Sequence, residues 1–441
     1  MHTSIFKWMR LGMVLLLGFL TIGPFSSTQA AVAQSSGPSV GMVCTTSSSP
    51  NPTFNLDAKP GYIFTADGNT MFMWSYSVTN GAFQYPGPVL CVNQGDTVTV
   101  ILHNSLPERV SIMFPGQENV QANGASAQPE FLGAGGILSS LTNSAVTGGT
   151  VTYSFVANNP GTFIYESGTD PKKQVEMGLA SALVVRPTLG ATFVYNRADT
   201  QFTQGEEFIA ILTEIDPYLH QSVEVGKTNF NMNNYHPRYW LLNGRGFPDT
   251  VADNFASWLP AQPYGALALI HPFNNTAAPG DPAYHPYPGV ERFVNLGTED
   301  FPFHPHGQNG LVIGRDGHAL EGVGGEDLSM EKFAVNVGPG QTWDVLFRWY
   351  DAEQYADTDN HRVTVAPPDL VNLTVGMFSS GSPYLGTKGV LPPGVQTLNQ
   401  CGEYYIISHN HALFQLDAWG QTMAGPITYL RVDPPQPNTC P

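Results

Sequence analysis

Short runs of apolar and β-branched residues, several of them alternating with polar ones, fill the chain from about residue 62 onward. Residues 97–102, 151–155 and 182–185 are examples. Because successive side chains of a strand point to opposite faces, a period of two predicts strands with one buried face. Gly, Pro and Asn separate the runs, and no long stretch keeps the helical period of 3.6 residues. The pattern therefore predicts an all-β protein of sandwich type with few, short helices.

Strand phrases recur in the two halves of the chain. Aligned on Gly161 and Gly402, the phrases that follow place Ser167 opposite Ser408. Two copies of one Greek-key β-sandwich unit are the simplest explanation of such a repeat. We therefore predict a first domain over residues 60–190. A second, longer one with Gly/Pro-rich insertions is predicted over residues 200–441.

The N-terminus carries the pattern of an export signal. Lys7 and Arg10 precede an apolar run over residues 11–22, and a small-residue A-x-A site follows at 31–33. Such a run is too short to span a bilayer, and this order of segments is typical of a secretory signal peptide. We expect a signal peptide over residues 1–33, a Ser/Pro/Thr-rich linker over 34–59, and a secreted protein, periplasmic or extracellular.

Composition narrows the range of partners. Without the signal peptide the chain has 16 basic and 35 acidic residues, a formal charge of −19. Like-charge repulsion disfavours nucleic acid and anionic membranes as partners. No later stretch reaches the roughly 18 apolar residues that a membrane helix needs, so we expect no membrane insertion.

Four cysteines are present: Cys44, Cys91, Cys401 and Cys440. In an exported protein an even number predicts disulfides, and three pairings are open. We favour the local pairs Cys44–Cys91 and Cys401–Cys440, each closing a loop of about 40 to 50 residues. A thiolate metal site is the alternative, but no C-x-x-C spacing supports it.

The most informative motif is His304-Pro305-His306. On a strand, residues i and i+2 share a face, so both imidazoles can reach one point, as metal ligands do. The competing interpretation is two polar histidines in a packed interface. Other histidines have no such pattern and are predicted to be surface groups in loops: His220, His236, His271 and His285.

Three further phrases carry a family resemblance: residues 86–96, 242–249 and 337–345. With the histidine motif they resemble the multicopper oxidases, which are built from cupredoxin-like domains. The likeness covers roughly residues 60–435. The chain is similar to a bacterial branch of the family in which most copper ligands are replaced.

The resemblance assigns residues of this chain to the family's copper slots. The four blue-copper slots fall on Phe301, Ser408, Leu413 and Ala418. Of the eight histidine slots of the trinuclear cluster, three keep histidine: His304, His306 and His409. The replaced slots include Met113 and Glu166. A blue site needs a thiolate. The resemblance therefore implies an oxidoreductase at most, without laccase-type turnover.

A single metal ion is what this set could still hold. The resemblance implies that His304, His306 and His409 converge at an interdomain face, with Glu166 as fourth ligand and His411 nearby. Copper is the expected cofactor, and zinc or manganese would also suit imidazole and carboxylate ligands. The alternative is an inert cupredoxin scaffold that serves as a metal-handling, structural or binding module.

Overall fold

The structure is a computed structural model that describes residues 39–133, 135–227, 229–307, 309–349 and 404–433. These residues belong to one compact unit. They are mostly strands with two short α-helices and a few 3₁₀ turns, which confirms the predicted all-β class and the scarcity of helices. Among the described residues, no helix is long and apolar enough to cross a membrane.

The strands before residue 187 are, in chain order, β1 Thr53–Phe64, β2 Thr70–Val78, β3 Leu90–Asn93, β4 Thr97–Asn104, β5 Gln121–Ala122, β6 Ala125–Ser126, β7 Glu130–Leu132, β8 Ile137–Ser140, β9 Thr150–Val156, β10 Gly161–Glu166 and β11 Ala180–Arg186. They form a six-stranded sheet in the order β2-β1-β4-β9-β5-β6, a three-stranded sheet β10-β11-β3 and the hairpin β7-β8. The core of this half includes Trp74, Tyr153 and Tyr165.

The strands after residue 206 are β12 Glu207–Ile215, β13 Tyr239–Leu242, β14 Ala268–Ile270, β15 Gly289–Asn295, β16 Phe301–Pro305, β17 Gly310–Arg315, β18 His318–Ala319, β19 Met330–Lys332, β20 Val335–Val337, β21 Thr342–Phe347, β22 Tyr404–Asn410 and β23 Ile427–Val432. The helices are α1 Pro171–Gln174 and α2 Pro217–Glu224, with 3₁₀ turns at Ala198–Thr200, Met232–Asn234, Asp249–Val251 and Leu413–Leu416.

Two further sheets are built from these later strands. A seven-stranded sheet runs β13-β12-β15-β21-β17-β18, with β19 also on β17, and a five-stranded sheet runs β14-β23-β22-β16-β20. Phe293 and Trp343 of the first and Phe301 and Phe303 of the second share one apolar cluster. This half is therefore a sandwich with its core between the two sheets. The two domain boundaries stay predictions.

Two expectations from the N-terminal part can be compared with the structure. The disulfide Cys44–Cys91 is present, with a Cα–Cα distance of 5.5 Å, which confirms that pairing. Cys401 and Cys440 lie outside the described residues. Strand β1 begins at Thr53, inside the predicted linker, because alternate side chains from Phe54 onward are buried against the core.

A buried polar network joins the strands of the two halves. The Arg292 guanidinium on β15 donates to Glu207 at 2.7 Å, to Thr162 on β10 at 2.9 Å and to Asp344 on β21 at 3.1 Å. Arg186 on β11 donates to both carboxylate oxygens of Glu207. Each buried charge thus meets an opposite one, which holds β10 and β11 against the seven-stranded sheet without leaving an isolated ion.

Candidate metal centres

The end of β16 and the end of β22 bring three of the predicted ligands together. The two strands pair antiparallel, with His304 opposite His409 and Pro305 opposite Ser408. The His306 amide, one residue beyond β16, donates to the Ile407 carbonyl at 3.0 Å and continues the pairing. The strand geometry expected from the H-x-H motif is therefore found, with His409 as its cross-strand neighbour.

Four imidazoles form this group, which we call the histidine cluster: His304, His306, His409 and His411. The Nε2 atoms of His306 and His409 lie 3.1 Å apart. Ring centroids are separated by 4.7 Å for His304 and His306, and by 5.1 Å for His306 and His409. His411 lies 5.2 Å from His304 and 5.4 Å from His409. The group is half-buried to exposed, so solvent reaches it.

Backbone carbonyls orient two of these rings. His304 Nδ1 lies 2.6 Å from the Phe333 carbonyl oxygen, and His409 Nδ1 lies 2.9 Å from the Asn410 carbonyl oxygen. A carbonyl only accepts, so each Nδ1 carries the proton and each Nε2 keeps its lone pair. Metal-binding histidines use this arrangement, in which one nitrogen is anchored and the other is free to ligate.

The electrostatics favour neutral rings. Burial lowers the pKa of His306, and the neighbouring His304, His409 and His411 lower it further. Burial also lowers the pKa of His409, against a hydrogen bond to the Asn410 carbonyl that raises it. Neutral imidazole is the form that binds a metal, so the clustering itself prepares the ligands.

Glu166, the predicted fourth ligand, lies at the end of β10 in the other half. Its backbone pairs with Met113, with N–O distances of 2.7 and 3.1 Å, so these two replaced slots are neighbours. Burial raises the pKa of its carboxyl. Within the described part of the chain, no hydrogen bond or ion pair links Glu166 to His304, His306 or His409. The role of Glu166 as a ligand stays a prediction.

The four positions that the resemblance assigns to blue copper offer a poor donor set. Phe301 and Ala418 are buried apolar side chains, and Leu413 is 61% exposed. Ser408 is 2% exposed, and its hydroxyl is buried without a hydrogen-bond partner. No thiolate, thioether or imidazole is available from these residues, so they do not fit a blue-copper ion.

A second group, the Glu206 triad, was not expected from the sequence. Glu206, His271 and His285 place one ligand atom each within 4.8 Å of the other two, so that the three could hold a metal ion. His271 Nδ1 lies 2.6 Å from Glu206 Oε1, and His285 Nε2 lies 3.2 Å from the same oxygen. Glu206 is 4% exposed, whereas both rings are half-buried. The bond to Glu206 raises the pKa of His271.

The prediction that the scattered histidines are surface loop groups is wrong for His220, whereas His271 and His285 do lie in a loop but are half-buried. His271 and His285 converge because the chain between them folds back, with paired backbone bonds between Asn274 and His285. His220 is fully buried in α2, with Nδ1 at 2.5 Å from the Phe72 carbonyl oxygen. The one local signal was the His-Pro dipeptide at both 271 and 285, which carries little information about a partner distant in sequence.

Comparisons with known proteins agree with the fold. Residues 67–189 match the family model of a multicopper oxidase domain. An L-ascorbate oxidase from Cucurbita maxima is 32% identical over 184 residues, which is 40% of this chain and 28% of the relative. The match thus spans less than a third of that relative's length.

Solved structures resemble most of the chain at low identity. The multicopper oxidase mgLAC superposes with a TM-score of 0.55 at 18% identity, covering 86% of each chain. A blue copper oxidase from Nitrosomonas europaea gives a TM-score of 0.53 at 16% identity, covering 87% of this chain and 85% of the other. At these identities the likeness shows a shared cupredoxin-like fold.

Proposed function

Because residues 67–189 match the family model of a multicopper oxidase domain, we propose that this chain is a multicopper-oxidase-like, exported metalloprotein that binds one copper ion at His304, His306 and His409. Copper is the family's metal, and imidazole is among its preferred ligands. In this proposal Glu166 is a candidate fourth ligand.

The observation that carries the proposal is the 3.1 Å approach of His306 Nε2 to His409 Nε2. The tautomer of His409 leaves its Nε2 with a lone pair directed at this gap. Two lone pairs at this separation repel unless a proton or a cation lies between the nitrogens. A cation held between these nitrogens would have further imidazoles beside it, because the His304 ring lies 4.7 Å from the His306 ring and 5.2 Å from the His411 ring between centroids.

The chain's own residues define what such a site can do. The bound ion would supply one-electron redox chemistry and an open coordination position. His304 and His409 hold their lone pairs on the metal side through their carbonyl contacts, and His411 lies at the exposed edge where a small molecule would enter. The assigned blue-copper slots hold no thiolate, thioether or imidazole, so we expect no route to four-electron oxygen reduction and simpler redox chemistry.

A metal-handling protein without turnover is the second candidate. It is favoured by the exposure of His411 and the half-buried position of His304, because an accessible set of imidazoles exchanges ions readily. Oxygen uptake separates the two functions. Consumption of oxygen by the copper-loaded protein with a reductant supports the oxidoreductase, whereas reversible copper binding without oxygen uptake supports metal handling.

The test is elemental analysis of the protein loaded with copper, zinc or manganese. Wild type is compared with His304→Ala/His306→Ala, and with His318→Ala as a control that removes an exposed histidine of the β17–β18 hairpin. We expect the double variant to lose one copper per chain and the control to lose none. Equal copper content in all three proteins would rule the site out.

The optical spectrum gives an independent check. With Ser408 where the family has its thiolate, copper loading should produce only weak visible absorption and no intense blue band. An intense blue colour at one copper per chain would overturn the assignment of Ser408 to that slot.

A further inference from the structure

We propose that the Glu206 triad is a second metal site, separate from the histidine cluster, that takes a zinc-type divalent ion and clamps the two sheets of the later half together. The inference rests on the contacts of Glu206, His271 and His285 and on the strands that carry them. It does not depend on copper binding at the histidine cluster.

The donor atoms of the Glu206 triad converge on one point. Glu206 Oε1 faces both His271 Nδ1 and His285 Nε2, at 2.6 and 3.2 Å, and Oε2 is 3.3 Å from His285 Nε2. The two rings are 5.4 Å apart between centroids. One carboxylate and two imidazoles around one point form a common donor set for zinc, with a fourth position left for water.

The residues of the triad come from both sheets of the later half. Glu206 directly precedes β12 and His285 lies just before β15, two neighbouring strands of the seven-stranded sheet. His271 directly follows β14, the edge strand of the five-stranded sheet. An ion held by all three residues would therefore tie both layers of the sandwich at one end.

Contacts that do not involve a metal hold the ligands of the triad in place. Asn274 and His285 exchange two backbone hydrogen bonds of 2.8 Å, which fixes the returning strand of the 271–288 loop. The Thr203 amide donates to the Pro288 carbonyl at 2.8 Å. Gly289 packs so closely that a Cβ there would lie 2.9 Å from Ile270 and 3.5 Å from Glu206 Oε2. A site organised before binding loses less entropy when the ion arrives.

The competing interpretation is a hydrogen-bonded clasp in which the Glu206 carboxylate only accepts from two ring N–H groups. Thr203 Oγ1, 3.1 Å from His285 Nε2, could complete such a network. The two interpretations differ in one respect that can be measured. A hydrogen-bonded clasp forms without a divalent ion and is not expected to bind zinc. A metal site binds zinc, and that binding depends on the negative charge of the Glu206 carboxylate.

Glu206→Gln is the decisive variant because glutamine keeps the size and an accepting oxygen but removes the charge. It is compared with His306→Ala/His409→Ala, which leaves the triad intact, and with His318→Ala as a surface control. Zinc is titrated against a chromophoric chelator, and cobalt(II) absorption reports the ligand geometry. Circular dichroism verifies that each variant is folded.

We expect the His306→Ala/His409→Ala protein to bind one zinc ion per chain with a rise in its thermal midpoint. Adding Glu206→Gln to that background should weaken this binding by at least about tenfold and abolish the thermal shift. The same zinc affinity with and without Glu206→Gln, or no zinc binding in the His306→Ala/His409→Ala background, would overturn the proposal. Copper binding at the histidine cluster is measured separately on the Glu206→Gln protein, in which that cluster is intact. The absence of a zinc site can therefore be told apart from the absence of a copper site.

Discussion

The histidine cluster and the Glu206 triad use the same residue type in opposite ways. The cluster is all imidazole, lies at the ends of two paired strands and is open to solvent. The triad contains a buried carboxylate and gathers its members from three separate chain segments at the end of the sandwich. Its rings contact an acid, whereas the rings of the cluster contact carbonyls and each other.

This difference in composition and exposure indicates which kind of bound ion each site favours. Imidazoles oriented by carbonyls stay neutral and present lone pairs to solvent, which favours an ion that exchanges or reacts. A carboxylate between two rings neutralises part of the charge of a divalent ion and ties three segments, which favours a structural ion.

The comparison of the two sites assumes that the protein folds without metal. A substitution of the buried Arg292 tests how far the polar network stabilises that metal-free fold. Arg292→Met removes the donors to Glu207, Thr162 and Asp344 and leaves buried carboxylates with fewer partners. We expect a loss of about 3–5 kcal/mol in the free energy of unfolding, measured by denaturant in the presence of a chelator. Arg109→Met, at a partly exposed ion pair with Glu130, is the control and should cost under about 1 kcal/mol. Equal losses in the two variants would contradict the role of the network.

The free energy of unfolding of the metal-free protein should itself depend on pH. This dependence must be separated from the effect of losing metal. Burial raises the pKa of Glu291 to about 8, whereas an unfolded chain ionises near its usual value of about 4.3. Between these values unfolding releases a proton. The free energy of unfolding of the metal-free protein should therefore fall as pH rises from about 5 to about 8.

Glu291→Gln should reduce that decrease in the free energy of unfolding by on the order of 3 kcal/mol. Burial also raises the pKa of Glu214 to about 8, so part of the slope should remain. Glu331→Gln, an exposed residue on β19, should leave the profile unchanged. Denaturant titrations at several pH values check this, and an unchanged slope in Glu291→Gln would show that Glu291 is ionised in the fold.

Removal of the His409 ring should show whether the two sites bind their ions independently. His409→Ala removes the Nε2 that faces His306, and we expect copper affinity to fall by about 100-fold while zinc binding at the triad is unchanged. Competition titration with each metal measures both effects. A parallel loss of zinc and copper would mean that the two clusters are not independent.

The smallest effect is expected at the exposed edge of the histidine cluster. His411→Ala removes a ring 5.2 Å from His304 but leaves the close His306–His409 pair, so copper affinity should fall by less than about tenfold. The same competition titration measures this change in copper affinity. A loss as large as that of His409→Ala would make His411 a full ligand and would leave Glu166 without a place in the coordination shell.

Local pattern was enough to predict the features that depend on short-range geometry. The period of two along β4 and β9 follows from the pleat, so the all-β class and the scarcity of helices could be predicted. The pairing of Cys44 with Cys91 was predicted from the expected export and from proximity in sequence, and the structure contains it. His304 and His306 point to the same face of a strand, because side chains at i and i+2 lie on one side.

Other features depend on contacts between segments far apart in the chain. Glu206 is 65 residues from His271 in sequence, and only the packing of β12 against β14 and β15 brings these ligands together. The burial of Phe54 that turns the expected linker into β1 likewise depends on a distant partner, β4. A sequence specifies which side chains can meet within a strand, because local geometry is the same in every fold. Which strands become neighbours depends on how the sheets bury their apolar faces, and that was decided only in the tertiary structure.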